Sequence, residues 1–278
     1  MNTYKVIKGT FHVKGYSPDG DSIRFVAQDQ SHWDHFEWSS QRERNKKKRQ
    51  LRIEAIDALE THYEGFRQPG AFAIAALEEL LALLKIEVKA YSLSVTKITD
   101  AVDGSPGFIA TSKLDVYQRP VSFVFPEVDS LQDGDVLNGD ELPLQDSINY
   151  KLAERGLVYP TFYAGLSEQF IAEFRKITKK ARRSGRGLWA LDRSQGFVMW
   201  DTRTIQEDVI IMPKLFRRFV KFFLNRSDLG GFLKYLKKNK DKLSLYNSPD
   251  IISLDQVMQV EGNRFGLTVN PEDLIFKP

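Results

Sequence analysis

The sequence predicts an α+β fold: a small closed β-barrel with helices packed beside it, followed by a smaller, mainly helical C-terminal extension. Three observations predict it. The apolar pattern runs strands first, then one buried helix, two more strands and two helices, which suits a barrel with helices at its side. The two later helices meet glycine stops at Gly156 and Gly185. After about Arg193 the pattern turns to basic, aromatic-rich helices, which divides the chain into 1–192 and 193–278.

Residues 4–15 and 21–28 read as strands split by Ser17-Pro18-Asp19-Gly20, whose Pro and Asp-Gly are turn chemistry. A polar stretch with Trp33 and Trp38 and a basic run, residues 42–49, lead to a third strand over 50–56. Residues 71–84, rich in Ala and Leu and apolar nearly all round, predict a buried helix after Pro69-Gly70. Strands follow at 86–91 and 121–125, with polar surface loops or hairpin extensions expected over 92–113 and 126–145. Helices are predicted over 146–155 and 167–183, the second capped by Ser167 and ended by Arg182 and Arg183. In the extension, 213–225 is a helix with Phe216, Phe219, Val220 and Phe223 on one face, 232–240 a short basic helix, and 264–269 a strand.

Composition bounds the function. The 278 residues are 42% hydrophobic and 28% charged, an ordinary globular balance, and nothing reaches the length of a membrane span. With no cysteine there are no disulfides and no thiolate metal sites. No leader is visible, so a cytoplasmic location is the expectation. The net charge of +3 does not by itself argue for nucleic acid, and nothing in the sequence sets the oligomeric state.

Charged side chains cluster at three points. Asp19-Gly20-Asp21-Ser22 is a strand turn that can aim Asp21 at a cleft; taken alone it is an ordinary hairpin turn. In the run from Arg52 to Thr61, Arg52, Glu54 and Ile56 share one strand face by period two, and the strand end presents Asp57 and then Glu60. Two carboxylates there are either a solvated end or a hard-metal ligand with a general base. Asp115-Val116-Tyr117-Gln118-Arg119 precedes another strand.

This series resembles the staphylococcal nuclease family. The Asp-Gly-Asp-Thr/Ser turn corresponds to Asp19–Ser22, the Arg-(x)4-Asp-x-x-Glu strand to Arg52, Asp57 and Glu60, and the Asp-x-Tyr-x-Arg element to Asp115, Tyr117 and Arg119. The Leu-x-x-x-Gly-Leu helix end matches residues 152–157, and the closing Gly-Leu-Trp matches Gly187 to Trp189. The resemblance covers residues 4–192 in the right order. It implies a five-stranded OB-type barrel and calcium-dependent hydrolysis of DNA and/or RNA. It further implies that Asp21, Asp57 and the carbonyl of Ala58 ligate Ca2+, that Arg52 and Arg119 hold the phosphate, and that Glu60 orients or deprotonates water. Tyr117, Tyr159 and Tyr163 match substrate-contacting aromatics, the last two loosely, with a core role equally open for all three. The chain departs from the pattern at Ala58-Leu59, where the family has Thr-Pro, and at Gln118 and Pro120, where it has glycines.

Two features lie outside the match. The basic run 42–49 reads as a phosphate-tracking arm. Between Pro213 and Lys242 ten basic residues face two acidic ones, which suits an amphipathic helix docked by its apolar face, with nucleic-acid contact as an added role. His12, His32, His35 and His62 have no metal-site spacing and read as surface residues. The competing reading is a nucleic-acid- or partner-binding module of the same fold with weak or no catalysis; the five retained charged residues argue for the enzyme.

Overall fold

The computed structural model describes residues 3–92, 97–127, 131–225 and 229–277. Its strands are β1 (Thr3–His12), β2 (Ser22–Ala27), β3 (Lys48–Ile53), β4 (Ile56–Asp57), β5 (Glu87–Tyr91), β6 (Ile98–Val102), β7 (Ser105–Leu114), β8 (Pro120–Pro126) and β9 (Val136–Asn138). They continue as β10 (Tyr159–Pro160), β11 (Phe162–Tyr163), β12 (Phe197–Val198), β13 (Lys242–Leu245), β14 (Ser248–Ser253), β15 (Met258–Glu261), β16 (Arg264–Leu267) and β17 (Leu274–Phe276). The helices are α1 (Gln41–Arg44), α2 (Gly70–Leu83), α3 (Ile148–Glu154), α4 (Glu168–Arg183), α5 (Pro213–Phe223) and α6 (Phe232–Asn239). Two compact units divide the chain, residues 1–54 with 76–152 and residues 55–75 with 153–278.

The first unit holds a closed five-stranded β-barrel. The strands run β1-β2-β3-β8-β7 and return to β1, with β9 added on β1. Inward positions are apolar at period two, as on β2, where Ile23, Phe25 and Ala27 are buried. Phe108 and Phe125, register partners across β7 and β8, stack face to face with ring centres 4.5 Å apart.

Three expectations need correction here. The loop expected over 92–113 contains β6 and the central barrel strand β7, which pairs with β1 on one side and β8 on the other. Ser105-Pro106-Gly107 at its start resembles a turn, yet Phe108–Thr111 are buried, and pairing on two sides overrides local propensity. The loop expected over 126–145 contributes β9 to the barrel edge. The strand expected over 50–56 ends at Ile53, because Ala55 takes a left-handed φ of 68° and breaks the period-two alternation.

The second unit is mixed α and β. Its core gathers Leu59 and Tyr159 with Leu188 and Trp189, and then Met212, Phe216, Phe219, Phe232, Phe265 and Phe276. Phe219 and Phe232 stack at 3.9 Å between ring centres. As expected, Phe216, Phe219 and Val220 are buried on α5, but Leu215 and Phe222 join them while Phe223 is only partly covered. The boundary expected at 192/193 therefore falls inside one compact unit, and the extension is not mainly helical: β12–β17 lie within it. Composition marks where the charge changes, whereas the unit is defined by apolar packing that continues across residue 193. Gly156 (φ 69°) and Gly187 (φ 59°) explain the Gly-Leu-Trp element. A Cβ on Gly187 would lie 2.3 Å from the Gly156 carbonyl oxygen, which accepts the Leu188 N–H at 2.9 Å.

Candidate functional site

In the first unit, Asp21, Arg52 and Arg119 sit at one end of three adjacent strands. Ser22, directly after Asp21, is the antiparallel partner of Arg52, and Arg52 is the parallel partner of Val121, two residues beyond Arg119. The Ile53 N–H donates to the Asp21 carbonyl at 3.0 Å. Asp21, Arg52 and Arg119 are all half-buried. Arg119 ends a tight hairpin built on Asp115, whose carboxylate accepts the backbone N–H groups of Tyr117 and Arg119 and the Arg119 guanidinium at 2.7 Å. Gln118, in place of a family glycine, takes a φ of 63° and accepts the Ser39 N–H at 2.6 Å. Tyr117 is 77% exposed at the tip, with the Arg119 guanidinium 5.5 Å from its ring centre.

The basic arm is partly structural. Arg49 is buried between Trp33 and Trp38, 4.8 and 3.9 Å from their rings, and donates to the carbonyls of Glu43 and Arg44. Burial pushes its guanidinium down to about 10, still charged at neutral pH. This withdraws Arg49 from a phosphate-tracking role, while Arg42, Lys46 and Lys47 remain exposed or half-buried. His12 and His32 also depart from the surface expectation: both are half-buried and paired with carboxylates, Asp103 at 2.8 Å and Asp133 at 3.0 Å.

In the second unit, the segment with Asp57, Ala58 and Glu60 is held by hydrogen bonds and apolar packing. Asp57 pairs in register with Tyr159, and Ala58 and Leu59 are buried. The fully buried Gln68 accepts the Glu60 N–H at 3.2 Å and donates to the Ile211 carbonyl at 2.8 Å, while the Gln68 N–H donates to the Glu60 carbonyl at 2.9 Å. A second chain of hydrogen bonds fixes the start of α5. The Tyr159 hydroxyl and both the N–H and hydroxyl of Ser194 donate to Asp192, and the Met212 N–H donates to the Ser194 oxygen at 2.8 Å. Pro213, preset for the first helical turn, follows.

On α5, Arg217 faces both acids. Its two terminal nitrogens donate to the two Asp57 oxygens at 3.1 and 2.7 Å, a fork-on-fork pair, and one of them also donates to Glu60 at 2.5 Å. Asp57 and Glu60 are 7% and 12% exposed and Arg217 24%. Burial works against the Arg217 charge, but Asp57 and Glu60 outweigh it and raise the guanidinium well above its usual value. Removing one partner from such a desolvated pair costs about 3–5 kcal/mol in general.

The sequence reading missed Arg217, though a signal was present. Pro213, Arg217, Val220 and Leu224 follow helical spacing, so Arg217 lies on the same helix face as Pro213 and Val220, both buried. A cation there needs an acid opposite. Tyr159 is corrected from substrate contact to core, since its ring is fully buried beside Trp189 and its hydroxyl is committed to Asp192. Burial and Asp192 raise that hydroxyl well above its usual value, keeping it a donor. Tyr163 is half-covered by Phe276, with the Lys214 ammonium 5.2 Å from its ring centre. The other basic residues at the start of α5 are engaged too: Arg218 pairs with Asp241. Arg226 and Asp228 lie outside the described residues.

Among the described residues no group of three or more His, Cys, Asp or Glu side chains is gathered in a metal-holding arrangement. The pair Asp57 and Glu60 nonetheless fits a hard cation in kind: both offer carboxylate oxygens, and both already converge on one positive charge, that of Arg217. No helix of the described residues is long and apolar enough to cross a membrane. No family model matches the chain, and no curated protein matches it.

Proposed function

We propose that this protein is a calcium-dependent nuclease of the staphylococcal nuclease type, hydrolysing phosphodiester bonds of DNA and/or RNA. The observation that carries the reading is the convergence of Asp57 and Glu60, 7% and 12% exposed, on a single cationic group. Carboxylate oxygens gathered on one positive charge are the donor type a hard cation takes in a hydrolytic site.

The chemistry follows from the side chains. Arg52 and Arg119 present two guanidiniums, which suit the equatorial oxygens of a phosphodiester and the extra charge they gain as water attacks. Glu60 orients the water and accepts its proton as the P–O bond to the leaving sugar oxygen breaks. By the resemblance, Asp57, Asp21 and the Ala58 carbonyl would hold the cation. When bound, a divalent cation would supply charge neutralisation for the phosphate oxygens. Tyr117, exposed at its hairpin tip, is the aromatic best suited to meet substrate.

The test is cleavage of single- and double-stranded DNA and RNA with calcium, magnesium or chelator. Cleavage in calcium should fall by about 10² to 10⁴ in Glu60→Gln and about 10³ or more in Arg119→Ala. Failure of the native chain and of Arg217→Gln on every substrate in every cation overturns the enzymatic reading. A second reading, a nucleic-acid- or partner-binding module without catalysis, is favoured by one observation: Arg217 already occupies both acids and cancels one of their two charges.

A further inference from the structure

We infer that Arg217 is a built-in counter-cation that competes with a divalent cation for Asp57 and Glu60 and holds the site latent. The inference rests on the proposed hydrolytic reading for what the site does, and on the geometry of the second unit for how it is held.

The placement of Arg217 is built, not incidental. The residues around the acids and the start of α5 belong to one hydrogen-bonded frame. Gln68 ties Glu60 to Ile211, and Asp192 and Ser194 tie Tyr159, the strand partner of Asp57, to Met212. Pro213 then starts the helix and Phe216 and Phe219 anchor it in the core. Arg217, one turn on from Pro213, is thereby aimed at the two carboxylates by a rigid backbone. All of Asp57's carboxylate oxygens and one of Glu60's are occupied by its N–H groups. Those are the atoms a hard cation would use, so Arg217 and the cation exclude each other.

Two carboxylates facing one guanidinium leave a net charge of −1, so the acids are not fully neutralised and a divalent cation is attracted to them. Exchange costs the Arg217 ion pairs and leaves the freed guanidinium close to the cation, which is what holds the site latent. Arg217 is 24% exposed and carries its charge on a flexible stem, so on this proposal the acids are released by rotation of its side chain. Because the tethered guanidinium is always present, calcium sees only the fraction of molecules in which it has swung away. Its apparent dissociation constant is raised by the inverse of that fraction.

The test is calcium titration by calorimetry on the full chain, native and Arg217→Gln, with thermal unfolding at each calcium concentration. The expected result is one calcium site bound about tenfold or more tightly in Arg217→Gln than in the native chain. Arg217→Gln/Asp57→Asn should lose the gain. Arg217→Gln leaves two desolvated acids facing each other, so its unfolding temperature should drop without calcium and recover with it. Arg217→Lys keeps a positive charge without the fork and should fall between; it also serves as the readout if Arg217→Gln does not fold. Equal calcium affinity in the native chain and the folded variants overturns the inference, as does a folded Arg217→Gln that binds no calcium. A variant that gains calcium binding yet cleaves nothing sustains the lock and sinks the hydrolytic reading, so the two failures are distinct.

Discussion

Replacing Gln68 by methionine tests the frame that aims the two acids. Gln68 is fully buried and its side chain makes two hydrogen bonds, from the nearby Glu60 N–H at 3.2 Å and to the distant Ile211 carbonyl at 2.8 Å. Methionine nearly conserves the volume, so the packing change alone costs less than about 1.5 kcal/mol. The hydrogen bonds are another matter. Each buried backbone group left without a partner costs about 1–3 kcal/mol, or about 2–6 kcal/mol together. For a unit of this size that lowers the unfolding temperature by roughly 5–20 °C. The assay is equilibrium urea unfolding, comparing midpoint and slope with the native chain. A midpoint shift worth less than about 1 kcal/mol at unchanged slope would refute the claim that Gln68 bears this load.

Other outcomes follow from the same structure. A chain cut after Arg193 should fail to fold its remaining second-unit residues, because Leu59, Tyr159 and Trp189 share a core with Phe216, Phe219 and Phe265, and Arg182 pairs with the buried Glu272. A cooperative unfolding transition of native amplitude in that truncation contradicts this. Tyr117→Ala, at a 77% exposed side chain, should leave stability within about 0.5 kcal/mol of native while raising the Michaelis constant for cleavage. An unchanged Michaelis constant removes Tyr117 from substrate contact. Burial disfavours the charged Asp103 carboxyl, but hydrogen bonds from the Val13 N–H, His12 and the Lys14 N–H outweigh it and hold it below its usual range. A carboxyl lowered on folding stabilises above the unfolded-chain value and loses that contribution as pH falls through the folded one. Asp103→Asn should therefore flatten the acid limb of stability measured by unfolding from pH 6 down to about pH 2; an unchanged limb contradicts the assignment.

The barrel was legible where a strand alternates, as Ile23, Phe25 and Ala27 do on β2, and where Gly and Pro mark the turns. It was illegible at β7, whose Ser105-Pro106-Gly107 start imitates a loop and whose strand state comes from partners on both sides. The acids Asp57 and Glu60 could be read from their spacing. Their partner Arg217 could not be assigned to them, since the contact spans about 160 residues and local pattern says only that a cation sits on an apolar face. The change at Arg193 is real in composition, but tertiary packing draws residues 55–75 and 153–278 into one unit, and no local signal marks that grouping. Tyr159, for which substrate contact and a core role were equally open, is a core residue: its ring is buried beside Trp189 and its hydroxyl finds Asp192.

The central claim is that Asp57 and Glu60 form a hydrolytic pair held latent by Arg217. The most direct measurement is the initial rate of single-stranded DNA cleavage in limiting calcium by the native chain, Arg217→Gln and Arg217→Gln/Glu60→Gln. The account predicts about tenfold or more faster cleavage in Arg217→Gln at subsaturating calcium, abolished in the double variant. A folded Arg217→Gln that cleaves no faster than the native chain, or whose gain survives loss of the Glu60 carboxylate, contradicts it.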